Sequence, residues 1–315
     1  MKVSVTMSQR RELNPGDATR VSPKGNFLAL RGELATAGRA QAWVLPIPYE
    51  GTVCYGKGAS QGPAAILAAS SQVELYDYEF QCEPYRQYGV HTLPALRPGR
   101  KSPGAVMRAI EERVAGILTG RPAPRILAIL GGEHSISGAV AHGMVRAGLH
   151  NFVTVQVDAH CDLRDEYDGT PFSHACAARR IAEVSPVFQI GIRNMGASEA
   201  EYYRQSGRVQ IVCAGEALAG KEYLKKLARY VRGRQVYLTM DLDGLDPAEM
   251  PAVGTPEPGG LHWQQLMDIV HTVFHEAKRV PVFDVVELAP IPCLTGPDFL
   301  AAKLVYKTLS LALCK

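Results

Sequence analysis

Seven short apolar runs, separated by stretches of helical pattern, constrain this chain more than any other feature. They are AWVLPI (42–47), ILAIL (126–130), FVTVQV (152–157), VFQIGI (187–192), VQIVCA (209–214), VYLTMDL (236–242) and VPVFDVVEL (280–288). Helical patterning falls at 62–78, 103–118, 137–148, 222–232, 263–279 and 298–314. Strand and helix in alternation predict a mainly parallel sheet with helices on both faces. Several runs are almost wholly apolar, as strands covered on both sides should be. A chain of 315 residues can hold two domains. No Ser/Gly linker, low-complexity tract or internal repeat divides this one. The expected organisation is an N-terminal arm, 1–40, and one three-layer α/β/α domain, 41–315.

In such folds, ligands bind beyond the carboxyl ends of the strands. ILAIL runs into GGEHS, FVTVQV into DAHCD, VYLTM into DLDGLDP, and VFDVV into ELAP. Four strand ends thus deliver His134, then Asp158, His160 and Asp162, then Asp241 and Asp243, then Glu287. Within DAHCD the side chains two apart share a face of an extended chain. Ala159 and Cys161 then point the other way.

Each piece has a plain structural use. A histidine after two glycines can cap a helix, Asp243 can shape a turn with Gly244, and DxHxD can close a strand. Together those uses fail on electrostatics. Four aspartates in one pocket repel one another and become partly protonated, at substantial cost. Two divalent cations balance Asp158, Asp162, Asp241 and Asp243, and His134 and His160 add neutral nitrogen ligands. Two of the carboxylates can bridge cations ~3.5–4 Å apart. A donor set rich in oxygen and without thiolate favours Mn²⁺ over tetrahedral zinc. Two Mn²⁺ per chain are therefore expected.

Composition narrows the partners. Net charge is +3, and the basic residues are scattered apart from groups such as 225–234, which reads as a solvated helix face. A nucleic-acid partner is not expected. No apolar run approaches the ~20 residues that span a bilayer, and the first residues lack a signal-peptide core. Seven cysteines, an odd number without a CxxC pair, fit reduced thiols in a cytoplasm.

The motifs GGEHS, DAHCD, SHACAARR (173–180), MDLDGLDP (240–247) and VVEL (285–288) resemble, in order and spacing, those of the ureohydrolases, the arginase and agmatinase family. PIPYEGTVCYGKGASQGPAAI (46–66), TPEPGGL (255–261) and the agmatinase-like AAKLVYKTL (301–309) extend the likeness from about residue 40 onward. The resemblance implies an arginase-like fold and the six residues above as ligands of two Mn²⁺. It also implies His174 as a proton-transfer histidine, Glu287 as a guanidinium-binding carboxylate, and assembly into trimers or hexamers. Two stretches depart from the family pattern. CYGKG (54–58) stands where many relatives have Arg-Pro before the glycine, and AEMPAVGTP (248–256) lacks a common Gly-Thr pair. Both concern loops at the entrance.

The implied reaction is hydrolysis of a small guanidino compound to urea and an amine. Asp162 would orient the attacking water, Glu287 would hold the guanidinium, and His174 would pass a proton to the leaving amine. The loop LRDEYDGTPFS (163–173) contains Asp165, Glu166 and Asp168 against Arg164 and lacks the asparagine of an arginase. An acidic rim favours agmatine, yielding putrescine and urea. Arg164 facing inward would instead favour 4-guanidinobutyrate or another guanidino acid, and arginine is a further alternative. A single-zinc deacetylase would lack His134 and the equivalents of Asp162 and Asp243. A non-catalytic binding homologue would typically have lost ligands. The sequence leaves open whether Tyr55, Lys57 or Tyr167 touches substrate.

Overall fold

The computed structural model describes residues 25–97, 99 and 101–314. Its eight strands are β1 (Ala42–Ile47), β2 (Val90–Thr92), β3 (Ile126–Gly131), β4 (Phe152–Val157), β5 (Val187–Ile192), β6 (Val209–Cys213), β7 (Gln235–Asp241) and β8 (Arg279–Val286). They form one sheet in the order β2-β1-β3-β8-β7-β4-β5-β6. Every pairing is parallel.

Alternation along each strand divides the core in two. Ala42, Val44, Ile126, Ala128 and Leu130 face one cluster with Ile66, Leu227, Leu266 and Ala301, from helices Gly62–Ser70, Glu222–Val231, Trp263–Glu276 and Gly296–Leu313. Trp43, Leu45, Ile47, Leu127 and Ile129 face the other, against Val106, Ile110, Val140 and Ile181 from helices Pro103–Thr119, Ile136–Arg146 and Ala177–Val184. The sheet is thus buried on both sides, which is why its strands read as continuous apolar runs.

Some elements differ from the sequence reading. The helix expected over 62–78 ends at Ser70. Ser70 and Ser71 turn their hydroxyls back onto Leu67 O and Ala68 O, and Asp77 then accepts from the amide of Glu79 in a turn. Strand β2 went unpredicted because three residues carry no period. Helices Tyr85–Tyr88, Ala177–Val184, Ala197–Ser206 and Ala214–Ala219 were not anticipated either.

Residues 1–24 of the expected arm lie outside the described residues. Residues 26–28 seal the β2 edge. Asn26 Nδ2 donates to Val90 O and Thr92 N donates to Asn26 Oδ1, both at 2.6 Å, while Phe27 is fully buried. Such cover removes an exposed strand edge. Among the described residues, no helix is long and apolar enough to cross a membrane.

Candidate active site

Strands β3, β8, β7 and β4 are consecutive neighbours in the sheet, although β3 and β4 are consecutive in the chain. The path from β3 to β4 therefore leaves a crevice over the carboxyl ends of the central strands, where α/β sheets bind ligands. Into it come His134 after β3, Glu287 after β8, Asp241 and Asp243 at the end of β7, and Asp158, His160 and Asp162 after β4. All but Asp158 line one pocket of about 150 Å³. Gly132 is required in this construction, because a Cβ there would stand 2.0 Å from the carbonyl oxygen of Tyr49.

Two groups of potential ligands form: His134 with Asp158 and Asp241, and His160 with Asp158 and Asp243. Asp158 is common to both. His160 Nδ1 lies 2.9 Å from Asp243 Oδ2 and 3.8 Å from Asp158 Oδ1. Asp162 joins from the side of His134, its Oδ2 3.0 Å from Nδ1. The expected alternation does not run the whole length of DAHCD. The strand stops at Val157, and Asp162 turns inward through a φ of 49°. Glu287 likewise sits at a φ of 66°, so two of the site's acids occupy backbone that non-glycine residues rarely adopt. Cys161 does point away, fully buried in the core.

The surroundings of His134 test whether a metal fits. Asp284 is fully buried and accepts from the hydroxyls of Thr239, Ser137 and Tyr237. Thr239 gives its proton to Asp284 at 2.7 Å, so it accepts from His134 Nε2–H at 3.0 Å. In the neutral ring that leaves Nδ1 bare. Nδ1 is buried without a hydrogen-bond partner, yet lies 3.1, 3.0 and 3.2 Å from oxygens of Asp158, Asp162 and Asp241. A nitrogen lone pair facing three carboxylates is a donor set for a cation, so the residues present fit a divalent metal.

The electrostatics agree. Burial, followed by the charges of Asp243 and Asp162, pushes the pKa of Asp158 up to about 7. Burial, followed by the charges of Asp243 and Asp158, raises Asp241 well above the carboxylate range. Burial opposes charge on His160, but its bond to Asp243 prevails and lifts it to about 10. Burial also opposes charge on His134, whose facing acids nonetheless raise it well above the ordinary value. Asp243 alone is held below its usual range, because its bond to His160 outweighs burial. Such a cluster takes up positive charge, as protons or as metal ions.

Glu287 stands on the wall beside this floor. Its Oε1 accepts from the amide of His134 at 2.5 Å. Burial, then the charge of Glu133, raises its pKa well above normal, so a cationic partner would restore its charge. His174 lines the same pocket. Its Nδ1 is 3.2 Å from Thr52 Oγ1 and its Nε2 is 3.6 Å from Cys54 Sγ. Tyr167 meets its ring edge-on at 5.9 Å.

The rim departs from expectation. Asp165, Glu166 and Asp168 are exposed and do not line the pocket. Asp165 turns outward to Arg180 and Arg179, at 2.8 and 3.5 Å. Of the charged residues of this loop, Arg164 is the one that enters the wall, its guanidinium 4.8 Å above the Tyr167 ring and its Nε 3.7 Å from Glu199 Oε2. Glu199 is buried and also accepts from the amides of Leu163 and Gly196. Tyr55 and Tyr167 line the pocket, while Lys57 belongs to a neighbouring hollow with Glu50. Sequence reasoning missed Thr52, Glu133, Asn194 and Glu199. Glu133 adjoins His134 and carried a signal. Glu199, 36 residues beyond Leu163, carried none.

A model of the arginase family matches residues 40–310. The chain belongs to the arginase family. It is 37% identical over 266 residues to the N(1)-aminopropylagmatine ureohydrolase of Synechocystis, covering 84% of this chain and 86% of that protein. The agmatinase of Bacillus subtilis is 34% identical over 273 residues, covering 84% and 88%. The crystal structure of the agmatine ureohydrolase of Thermoplasma volcanium superposes with a TM-score of 0.77 at 29% identity, covering 89% of this chain and 92% of the other. The protein is thus an amidinohydrolase of the arginase fold.

Proposed function

We propose that this arginase-family enzyme hydrolyses a linear guanidino amine, agmatine or its N1-aminopropyl derivative, to urea and the corresponding amine. Agmatine would yield putrescine. One observation carries the reading: the Asp/His floor and the buried Glu287 carboxyl share a single pocket. The relatives named above supply the substrate class.

In this reading His134, Asp158, His160, Asp162, Asp241 and Asp243 hold two Mn²⁺. When bound, two divalent cations make water acidic enough to serve as a nucleophile near neutral pH. Glu287 binds the guanidinium and fixes its central carbon over the floor. The second oxygen of Asp162 orients the attacking water. His174 hands a proton to the leaving amine. Arg164, already paired with Glu199 and stacked on Tyr167, leaves the tail of the substrate a near-neutral wall. A homo-oligomer, trimer or hexamer, completes the proposal.

Arg164 also favours a second reading, in which its guanidinium pairs with the carboxylate of a guanidino acid. A urea-release panel of agmatine, N1-aminopropylagmatine, 4-guanidinobutyrate and arginine separates the two. The proposal expects one of the first two to exceed the acids by at least about tenfold in kcat/KM, since a mismatched charge leaves a buried group unpaired. A preference for 4-guanidinobutyrate that Arg164→Ala abolishes would establish the second reading.

A further inference from the structure

Thr52 lies between a buried carboxylate and His174, and its hydroxyl settles which ring nitrogen carries the proton. Glu133 is fully buried. Its Oε2 accepts from the amides of Gly51 and Thr52 at 2.7 and 2.8 Å. Its Oε1 accepts from the hydroxyls of Thr52 and Ser135 at 2.7 and 2.6 Å. Four donors converge on it, so Glu133 acts purely as an acceptor. A hydroxyl has a single proton, and that of Thr52 goes to Glu133. The Thr52 oxygen retains only acceptor capacity. It accepts from the amide of His174 at 3.0 Å and faces Nδ1 at 3.2 Å.

We infer that Glu133 and Thr52 fix His174 in the tautomer protonated on Nδ1, leaving Nε2 bare as the nitrogen that exchanges protons in the pocket. Ser173 Oγ, 3.3 Å from Nδ1, is free to accept from the same N–H, since its hydroxyl can turn to suit either tautomer. Nε2 points to the open side, toward Cys54 Sγ, and Cys54 lines the pocket. Thr52 and Glu133 touch no reacting atom and are positioning residues. They select which nitrogen is basic, as a hydrogen bond to one nitrogen of an imidazole selects the role of the other. The fold provides the arrangement cheaply, because the residues just before GTVC (51–54) run beside GGEHS: Gly132 N and Glu133 N donate to Ile47 O and Tyr49 O at 2.9 Å. The same logic, with Asp284 and Thr239 on the other nitrogen, leaves His134 Nδ1 bare.

The kinetic consequence rests on the proposed proton transfer by His174, whereas the tautomer does not. Neutron crystallography of the metal-loaded enzyme reads the proton directly. The expected result is a deuteron on His174 Nδ1, none on Nε2, and the Thr52 deuteron directed at Glu133. A deuteron on Nε2 with Nδ1 bare overturns the inference. Thr52→Val removes the acceptor while keeping the shape, and should release the ring to the Nε2-protonated form. With it, kcat should fall about 10- to 100-fold and KM stay within about twofold, with metal content unchanged and Tm lowered by several degrees, because Glu133 and the His174 amide each lose a partner. Thr52→Ser should restore both tautomer and rate. A Thr52→Val enzyme that keeps its Nδ1 deuteron also overturns the inference. A flipped tautomer with unchanged kcat would uphold the assignment of Thr52 and Glu133 and remove His174 from proton transfer instead.

Discussion

Acids crowd both the floor of the pocket and the loop 163–173 at its rim, but they meet different surroundings. On the floor, Asp158, Asp162, Asp241 and Asp243 are between 0% and 7% exposed, and strand ends or the short turns after them hold them within reach of two histidines. At the rim, the Asp165 side chain is 75% exposed and spent on Arg180 and Arg179, and Glu166 and Asp168 face water. Local charge density in the sequence is similar in the two places. Its consequence depends on burial, because water screens a rim charge and a dry floor does not. A count of acids therefore diagnoses a cation site only where the fold removes the solvent.

This contrast breaks if a floor acid proves dispensable. Asp158 belongs to both ligand groups, so Asp158→Ala removes a donor from each. We expect loss of bound Mn²⁺, read by elemental analysis of purified protein, and a fall in kcat/KM of about 10³-fold or more, the upper range for deleting one electrostatic catalytic group. Near-normal turnover without metal would refute the two-metal reading outright. His174→Asn should come next, slowing turnover by about 10²–10⁴-fold with metal retained.

Removing the cations sharpens the contrast through pH. In metal-free protein the pKa of Asp158 rises from 3.8 to about 7 on folding, and that of Asp241 is raised well above 3.8 too. Between those values the folded state binds more protons than the unfolded state, so stability falls as pH rises through the window. His160, raised from 6.5 to about 10, acts in the same direction: its contribution is full below 6.5 and is lost as pH climbs toward 10. Asp243, whose pKa is lowered, is ionised in both states above pH 5 and does not compensate. Chelated protein should therefore lose several degrees of Tm between pH 5 and 8. Mn²⁺-loaded protein should hold or gain, because metal ions replace the protons and bind more tightly as ligands deprotonate. A chelated protein whose Tm rises over this range would mean that the floor acids are not crowded as described.

The floor could be read from sequence because period and position coincide there. A strand ends, and the next few residues must lie at the sheet edge; DAHCD and DLDG follow apolar runs without a gap. That coincidence assigns His134, Asp158, His160, Asp162, Asp241, Asp243 and Glu287 to one place. Strand order was not legible, since nothing in a parallel run names its neighbour. The rim failed for a different reason. Loop 163–173 has no period, so the direction of Arg164 and Asp165 is set by partners distant in sequence. Glu199, which holds Arg164, comes from helix Ala197–Ser206, and Arg179 and Arg180 come from helix Ala177–Val184. Neither helix was anticipated. The Thr52–Glu133 pair was hidden similarly, since 81 residues separate the two.

The smallest expected effect belongs to the rim acid that the sequence singled out. Asp165 has the features of a substrate-binding residue: an acid, beside Arg164, three positions after the DxHxD motif. Its geometry assigns it elsewhere. Its bridges to Arg180 and Arg179 run across the outer surface to helix Ala177–Val184, and an exposed pair of this kind contributes about 0–1 kcal/mol. Arg180 keeps a second partner in Glu183 at 3.0 Å, and Arg179 stays over the Tyr202 ring at 3.6 Å, so neither cation is stranded when Asp165 goes. Asp165→Asn should leave kcat/KM for agmatine and its N1-aminopropyl derivative within about twofold of wild type, and shift Tm by no more than about 2 °C. Added salt should narrow even that difference, because the pair is screened in the wild type already. If Asp165→Asn instead lowered kcat/KM tenfold for the amines and left 4-guanidinobutyrate unaffected, the acidic-rim account of specificity would return. Loop 163–173 would then have to swing inward when substrate binds.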